Sequence, residues 1–136
     1  MLAKKIKYKD YNGVEREETF YFNLKESELL EMELSKNGGI LNYLERIIET
    51  KDAPEILKYF KKIILGSYGK KSLDGTRFEK SEEISAEFYD SEAYSVLVME
   101  MFRNPTYAAE FINEVLPESA KLSPEELKKA TDETSI

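Results

Sequence analysis

The dipeptide Asn12-Gly13 is the feature that most constrains how this chain can fold. It lies between two runs rich in β-forming residues, Ala3–Lys9 and Glu15–Phe22. Asn-Gly favours the tight turn of a β-hairpin, because both residues tolerate the positive φ angles that such turns require. The sequence therefore predicts that the chain opens with an antiparallel hairpin.

The register of this hairpin decides which side chains face a core. A strict two-residue turn pairs Ile6 with Thr19 and leaves Ile6 and Tyr8 on the face opposite Phe20 and Phe22. One additional bulge residue near the turn brings the four apolar side chains to the same face. We favour the bulged register, because it buries more apolar surface.

Helical signals follow the hairpin directly. Asn23 is a suitable N-cap, and Glu26, three residues later, completes a capping box, which predicts a helix over Leu24–Ser35. The helix is expected to end near Asn37-Gly38-Gly39, because glycine is frequent where helices stop.

The next two helices are defined by apolar periodicity. Apolar residues at i, i+3, i+4 and i+7 predict a second helix over Ile40–Glu49. A third helix begins after Asp52, with Pro54 near its start. The segment Gly66–Phe78 contains three glycines and an Asp-Gly pair, so we expect a connecting loop without regular structure there.

Further helices complete the predicted domain. They span about Glu82–Phe88, Ser91–Phe102 and the stretch from Asn104-Pro105 to Pro117. Residues 118–136 contain no aromatic residue, and we expect a flexible C-terminal tail or a frayed helix, started by the capping box at 123–126. The predicted fold is α+β, mainly a helical bundle with an N-terminal β-hairpin, with residues 1–117 as its domain.

Composition excludes several classes of enzyme. The 136-residue chain contains neither cysteine nor histidine, which removes thiolate and imidazole metal sites and both Ser-His-Asp and Cys-His catalysis. Carboxylate chemistry with Mg²⁺ or Ca²⁺ stays formally open. The acidic groups at 15–18 and 82–83 are better explained as a solvated strand and a helix N-terminus. We expect no enzyme activity, no metal and no cofactor.

The charge of the chain bears on its partners. The net charge is −7, from 27 acidic and 20 basic residues, and such a surface repels nucleic acid. No apolar run approaches the roughly 20 residues of a membrane-spanning helix. The loop Ser67–Phe78 carries Lys70-Lys71 but lacks the glycine and lysine spacing of a phosphate-binding loop. We expect a cytoplasmic protein with no nucleic-acid or membrane partner.

The helix predicted after Asp90 is apolar on nearly every side. Tyr94, Leu97, Val98, Met101 and Phe102 form one stripe, and Ala93, Val96 and Met99 extend it. A helix of this kind is either central in a core or pressed against a partner. Both interpretations remain open, since methionines suit adaptable binding surfaces and also fill gaps in cores.

One set of residues carries a resemblance to a known family. It comprises Leu65-Gly66-Ser67-Tyr68-Gly69, Ser72, Asp74-Gly75, Arg77-Phe78, Lys80-Ser81, Phe88, Ser91-Glu92-Ala93-Tyr94-Ser95, Ala108-Ala109, Phe111-Ile112-Asn113 and Pro117. Their order and spacing resemble the tail assembly chaperones of siphophages and prophages of Gram-positive bacteria. The resemblance covers roughly residues 64–117, and the N-terminal hairpin and first helices more loosely.

The resemblance implies a function that composition does not show. Such proteins act during phage tail assembly and are absent from the finished virion. They bind the hydrophobic tape measure protein and keep it soluble while subunits of the major tail tube protein are recruited. Many have a longer form made by ribosomal frameshifting, and this chain is expected to match the short form. The resemblance also implies oligomerisation, and it offers no catalytic residues.

The expected partner-binding surface is an apolar face that includes Leu97, Met101 and Phe102, with help from Phe111. An acidic shell around such a face suits a chaperone that binds stoichiometrically. The alternatives are a structural tail component and an acidic DNA mimic. Interleaved acids and bases, as in Glu15-Arg16-Glu17, argue against the mimic.

Overall fold

The protein has an α+β fold that is mainly helical and begins with an antiparallel β-hairpin. The structure, a computed structural model, describes residues 1–32 and 39–132. In that part of the chain the elements are β1 Leu2–Lys9, β2 Glu15–Phe22, α1 Glu26–Glu31, α2 Gly39–Glu49, α3 Ala53–Ser67, β3 Tyr68–Lys71, β4 Phe78–Glu79, α4 Glu82–Tyr89, α5 Glu92–Arg103, α6 Pro105–Val115, a short 3-10 helix Glu118–Ala120 and α7 Pro124–Asp132.

The bulged register of the hairpin is confirmed. Ile6 lies opposite Glu18, one residue away from the pairing that a strict two-residue turn demands. Even-numbered residues of both strands therefore share one face, which brings together Ile6, Tyr8, Phe20 and Phe22. These four side chains are buried or half-buried, as the choice of register by apolar burial predicts, whereas Arg16 and Glu18 on the same face are exposed.

The turn of this hairpin accommodates the additional residue through Gly13. The N–H of Gly13 donates to the main-chain oxygen of Asp10 at 2.9 Å, and Gly13 has a φ of 79°. The Asp10 carboxylate accepts hydrogen bonds from the N–H groups of Asn12 and Val14, both at 2.9 Å. Gly13 thus has the positive φ that the sequence predicts, and residues 11–13 form a three-residue connection, which replaces the two-residue Asn-Gly turn and holds the additional residue.

The prediction that Gly66–Phe78 lacks regular structure was wrong. The last turn of α3 continues to Ser67, and the chain then forms β3, which pairs with β2, and β4, which pairs with β3. The sheet has the order β1-β2-β3-β4. The glycine-based prediction of a turn holds only between β3 and β4, where Gly75 has a φ of 75°. The strands form because the second edge of β2 supplies hydrogen-bonding partners, which a local sequence window does not contain.

Most helices lie where the sequence predicts them. The bounds of α2 and the start of α3 after Asp52 agree with the prediction, as do α4, α5 and α6 within a residue or two. Side-chain caps form at two of these helix starts: Ser81 accepts from the N–H of Ile84, and Asn104 from the N–H of Tyr107, each at 3.0 Å. Side-chain capping therefore defines where α4 and α6 begin.

The first helix begins later than predicted, at Glu26. The N–H of Asn23 donates to the main-chain oxygen of Ser67 at 2.7 Å, and that of Leu24 to Val115 at 2.8 Å. These two residues are bound to α3 and α6 and do not enter the helix. The predicted use of Asn23 as the N-cap was therefore wrong, because tertiary hydrogen bonds outweigh local capping preference.

The glutamate whose side chain accepts a main-chain hydrogen bond at this helix start is Glu28, whereas the sequence predicted Glu26. The N–H of Lys25 donates to the Glu28 carboxylate at 2.9 Å. The helix ends at Glu31. Of the predicted stop signal Asn37-Gly38-Gly39, the first two residues lie outside the described residues and Gly39 is the first residue of α2.

An aromatic cluster joins the sheet to the helices. The ring of Phe88 on α4 stacks on Tyr68 with centroids 4.4 Å apart, and its centroid lies 5.0 Å from that of Phe20. On β2, Phe22 contacts Phe111 of α6 edge-on at 5.1 Å. Offset and edge-on contacts of this kind add to the burial energy of each ring. The opposite face of the hairpin carries exposed side chains.

The C-terminal segment packs against the domain. Ser123 and Glu126 form the predicted reciprocal capping box, with both hydrogen bonds at 3.1 Å. Upstream, the Asn113 carboxamide accepts from the N–H of Leu122 at 2.8 Å. Leu122 and Leu127 are half-buried against the core. That residues 118–136 form a flexible or frayed unit apart from 1–117 stays a prediction.

Candidate functional site

The four residues expected to bind a partner do not form an exposed face. Leu97 and Met101 are 0% exposed and Phe111 is 2% exposed. Phe102 is half-buried against the same core. A partner therefore cannot contact the first three in this conformation, and only Phe102 keeps accessible surface. Whether any of them binds a partner stays a prediction.

The position of α5 explains why it is apolar on nearly every side. This helix packs on β1 and also contacts α3, α4 and α6. A helix covered on several sides needs apolar residues all around it, which is the signature of a core helix. Of the two interpretations that the sequence left open for this helix, the central core position is the one that the structure shows.

Exposed apolar side chains occur instead near the β1–β2 turn and at the α4–α5 junction. Tyr11 is 76% exposed, Val14 is 54% exposed, and Tyr89 and Val96 are also exposed. Tyr11, Tyr89 and Tyr94 line one open cavity of about 390 Å³ together with Asp90, Ser91, Ser95 and Val98. We call this region, defined by those seven residues, the tyrosine cavity. The sequence carries no signal for it, because the cavity brings together Tyr11 of the β1–β2 turn and residues 89–98, which no local pattern places side by side.

Three of the seven residues that line the tyrosine cavity are aromatic, and Asp90 is the charged one among the seven. Tyr89 and Tyr94 meet edge-on with centroids 4.9 Å apart. Burial and the neighbouring Tyr89 raise the pKa of Tyr94 to about 12, so its hydroxyl is neutral at physiological pH. The Lys61 ammonium lies 4.2 Å from the centroid of the Tyr89 ring, a cation–π contact from α3. The cavity thus offers aromatic surface beside the Asp90 carboxylate.

A second exposed feature is the lysine-rich outer side of the hairpin. Lys5, Lys7 and Lys9 alternate along β1 and are exposed. The ammonium groups of Lys5 and Lys7 each lie 3.4 Å from the carboxylate of Glu17, and Lys9 lies opposite Glu15. Of the acidic run of β2, Glu17 pairs with two lysines, Glu15 lies opposite Lys9, and Glu18 accepts a hydrogen bond from the Tyr8 hydroxyl. These contacts account for the run without a metal. The signal for this surface is a lysine at every second position of the first strand.

The lysines of the β3–β4 hairpin do not converge on an anion. The Lys70 ammonium pairs with the Glu87 carboxylate at 3.3 Å, and that of Lys71 lies 4.7 Å from the centroid of the Tyr21 ring. Within residues 1–32 and 39–132, no three acidic side chains come together as metal ligands do. Lys70 and Lys71 are therefore each engaged with a different side chain, Glu87 and Tyr21.

No helix in the described part of the chain has both the length and the apolar character needed to cross a membrane.

Together, the fold and its surface define a small α+β protein whose exposed features suit contacts with other proteins. Compared with models of protein families, residues 1–135 match the family described as phage tail assembly chaperone. The chain therefore belongs to the phage tail assembly chaperone family. No curated protein and no solved structure matches it.

Proposed function

We propose that this protein is a non-enzymatic chaperone that binds the tape measure protein of a long-tailed phage. It keeps that protein soluble and helps to recruit subunits of the major tail tube protein. The observation that carries the proposal is the family match over residues 1–135. The chaperone acts in the cytoplasm of the bacterial host and is absent from the finished virion.

The composition of the surface supports this role. A stoichiometric chaperone needs exposed apolar groups on a body that stays in solution. Tyr11, Val14, Tyr89 and Val96 supply exposed apolar groups, and the net charge of −7 supplies repulsion between copies. Partner binding is therefore assigned first to the region of the tyrosine cavity.

The α5 residues contribute to this surface mainly by holding it in place. Leu97 and Met101 anchor the helix that carries the exposed Val96 and the half-buried Tyr94 of the tyrosine cavity. Direct contact of Leu97, Met101 and Phe111 with the tape measure protein requires α5 to leave the core. Phe102 contacts a partner without such opening, because it is half-buried at the end of α5.

The proposal is tested by co-expression with the tape measure protein encoded beside this gene. Recovery of a soluble complex supports chaperoning, and an insoluble tape measure protein contradicts it for this form of the chain. The double variant Tyr11→Ser/Tyr89→Ser is expected to lower the recovered amount. Leu73→Ser is the matched control, because Leu73 is fully exposed on the other hairpin turn.

Two further parts of the proposal need their own measurements. Mass spectrometry of purified particles tests whether the chaperone is absent from the virion, and its detection there favours a structural tail component. Size-exclusion chromatography with light scattering tests self-association. Mass spectrometry of infected cells tests whether a longer frameshifted form accompanies this chain.

A further inference from the structure

Within residues 1–32 and 39–132, one edge of the first strand has main-chain groups that pair with no other strand. β1 is the outermost strand of the sheet and pairs with β2 on one side. The N–H of Asp10 donates to Val14 across the hairpin at 2.9 Å, which assigns the even-numbered residues of β1 to the β2 side. The N–H and C=O groups of the odd-numbered residues therefore point outward, and these are Ala3, Lys5, Lys7 and Lys9.

The edge is long, and the described residues leave it open. β1 has 8 residues, whereas β4 at the other edge of the sheet has 2. The helix packed on β1 is α5, which covers the face that carries Ile6. In the described ranges no further strand pairs with β1, and the side chains at positions 3, 5, 7 and 9 are exposed. A long exposed edge is a template for another strand.

The charges along this edge favour some added strands over others. Lys5 and Lys7 share the single carboxylate of Glu17, so positive charge is in excess along the outer side of β1. Antiparallel pairing with β1 of a second copy sets lysines beside lysines, which is unfavourable. A strand that carries carboxylates at alternate positions places them beside Lys5, Lys7 and Lys9 instead.

The other face of an added strand meets an apolar region. The Lys4 ammonium lies 3.4 Å from the Glu100 carboxylate, so the side of α5 that carries Glu100 is the one next to β1. Val96 lies one helical turn from Glu100 on that side and is 39% exposed. Inward-pointing side chains of an added strand lie on the same face as Ile6 and Tyr8, beside Val96. Apolar residues suit these positions.

We propose that β1 binds an extended segment of a partner protein as a fifth strand, and that this segment alternates acidic and apolar residues. Its main chain bonds the outward groups of β1, its carboxylates pair with the lysines, and its apolar side chains cover Val96. The proposal deepens the proposed function and rests on it for the identity of the partner as a tail protein.

The test uses the full chain and a capped peptide of the length of β1, 8 residues, that alternates glutamate and valine. Hydrogen exchange followed by NMR reports each main-chain amide. Without peptide, the amides of Ala3, Lys5, Lys7 and Lys9 are expected to exchange fast, and those of Ile6 and Tyr8 slowly. Saturating peptide is expected to slow the outward set. A peptide that alternates lysine and valine is the matched control and is expected to leave the exchange rates unchanged.

Variants separate main-chain pairing from charge. Lys7→Pro removes an outward N–H without breaking the bonds between β1 and β2, because proline is tolerated at such edge positions. It is expected to weaken peptide binding by about tenfold or more, the effect of one lost hydrogen bond plus a steric block. Lys7→Ala keeps the N–H and is expected to weaken binding less and to reduce its salt dependence. Circular dichroism verifies the fold, and Lys5→Pro repeats the test.

Two results of the peptide experiments overturn the inference, and a third comes from co-expression. One is unchanged exchange at the outward amides with saturating acidic peptide, which needs no variant. The other is equal peptide binding by Lys7→Pro and the unmodified chain. In the co-expression experiment, a soluble complex that forms equally well with Lys7→Pro rejects the edge and leaves the chaperone function standing. A tape measure protein that stays insoluble contradicts the proposed function, while the peptide result still decides the edge.

Discussion

Lys80 and Glu28 form an ion pair, with 2.6 Å between the ammonium nitrogen and a carboxylate oxygen, that joins the start of α4 to α1. The same ammonium group donates to the main-chain oxygens of Asn23 at 2.7 Å and Gly66 at 2.8 Å. Burial lowers the pKa of Lys80, while Glu28 acts in the opposite direction. One side chain thus connects the end of β2, α1 and α3.

Lys80→Met is expected to lower the free energy of unfolding by about 2 kcal/mol, because two main-chain oxygens and one carboxylate lose a shared donor. Urea denaturation measures this change in the free energy of unfolding. The dependence of that free energy on urea concentration is expected to stay the same. Lys70→Met is the control, since the pair of Lys70 with Glu87 is exposed on both sides and contributes less than about 0.5 kcal/mol. Equal effects of the two variants would show that the three contacts of Lys80 do not act together.

Gly69 and Gly66 are expected to respond to alanine with opposite signs. A Cβ at Gly69 lies 2.6 Å from a ring carbon of Phe78 and 2.8 Å from the main-chain oxygen of Glu79, so Gly69→Ala costs about 1–3 kcal/mol. At Gly66 the nearest atom is 3.5 Å away, at the end of Met32. Gly66 lies within α3, so Gly66→Ala stabilises by about 0.5–1 kcal/mol. Thermal melts of both variants provide the check. A stable Gly69→Ala variant would contradict the close approach of β3 and β4.

Substitutions at Met101 and Val96 test the buried and the exposed side of α5, respectively. Met101→Ala is expected to cost about 2–5 kcal/mol, because it leaves a cavity beside a fully buried position. Met101→Asp is expected to unfold the protein. Val96→Asp should retain the circular dichroism spectrum and stay within about 1 kcal/mol of the unmodified chain, since Val96 is exposed. A folded Met101→Asp variant that fails to bind a partner would restore the interface interpretation of α5.

Stability is expected to fall at alkaline pH through Tyr94 and Tyr8. Burial and Tyr89 raise the pKa of Tyr94 to about 12, and the hydrogen bond from Tyr8 to Glu18 raises that of Tyr8 to about 12. Both folded values exceed the usual 10.0, so the folded state holds these protons more tightly. The stabilisation is complete below pH 10.0 and is lost as the pH rises through about 12.

Thermal melts across this pH range, with phenolate absorbance recorded in parallel, measure the effect. Tyr94→Phe removes one of the two groups and is expected to make the decline in Tm shallower. An identical decline in both proteins would assign the alkaline loss to other tyrosines.

Asn113 connects α6 to the C-terminal segment. Its carboxamide accepts from the N–H of Leu122 at 2.8 Å and donates to the oxygen of Leu122 at 3.5 Å. Asn113→Ala is expected to cost about 1 kcal/mol and to speed proteolysis within residues 118–132 before the rest of the chain is cut. If proteolysis is fast already in the unmodified chain, residues 118–136 form a flexible unit, as the sequence predicts.

Features that depend on neighbouring residues were predictable from sequence. The caps at Ser81 and Asn104, the bounds of α2 and the capping box at Ser123 each need only a few consecutive residues. The hairpin register also followed from sequence, because only one of two registers puts Phe20 and Phe22 on the face of Ile6. The family resemblance rested on such local patterns and is confirmed by the match over residues 1–135.

Features that depend on distant partners were not predictable. Asn23 does not cap α1, because its N–H donates to the main-chain oxygen of Ser67. The strands β3 and β4 form because β2 has an edge with which β3 pairs. The exposed apolar residues differ from the predicted partner-binding residues for the same reason. An apolar stripe indicates that a helix face is covered, but it does not indicate which segments cover it. Here the sheet and three helices cover Leu97 and Met101.

By itself the sequence determined the hairpin, its register, most helix positions and the family, because these follow from spacing and from local hydrogen bonding. Only the tertiary structure decided which apolar side chains are accessible. Burial is a property of packing between segments far apart in the chain, so the exposure of Tyr11 and the open edge of β1 in the described residues are visible only once the strands and helices are assembled.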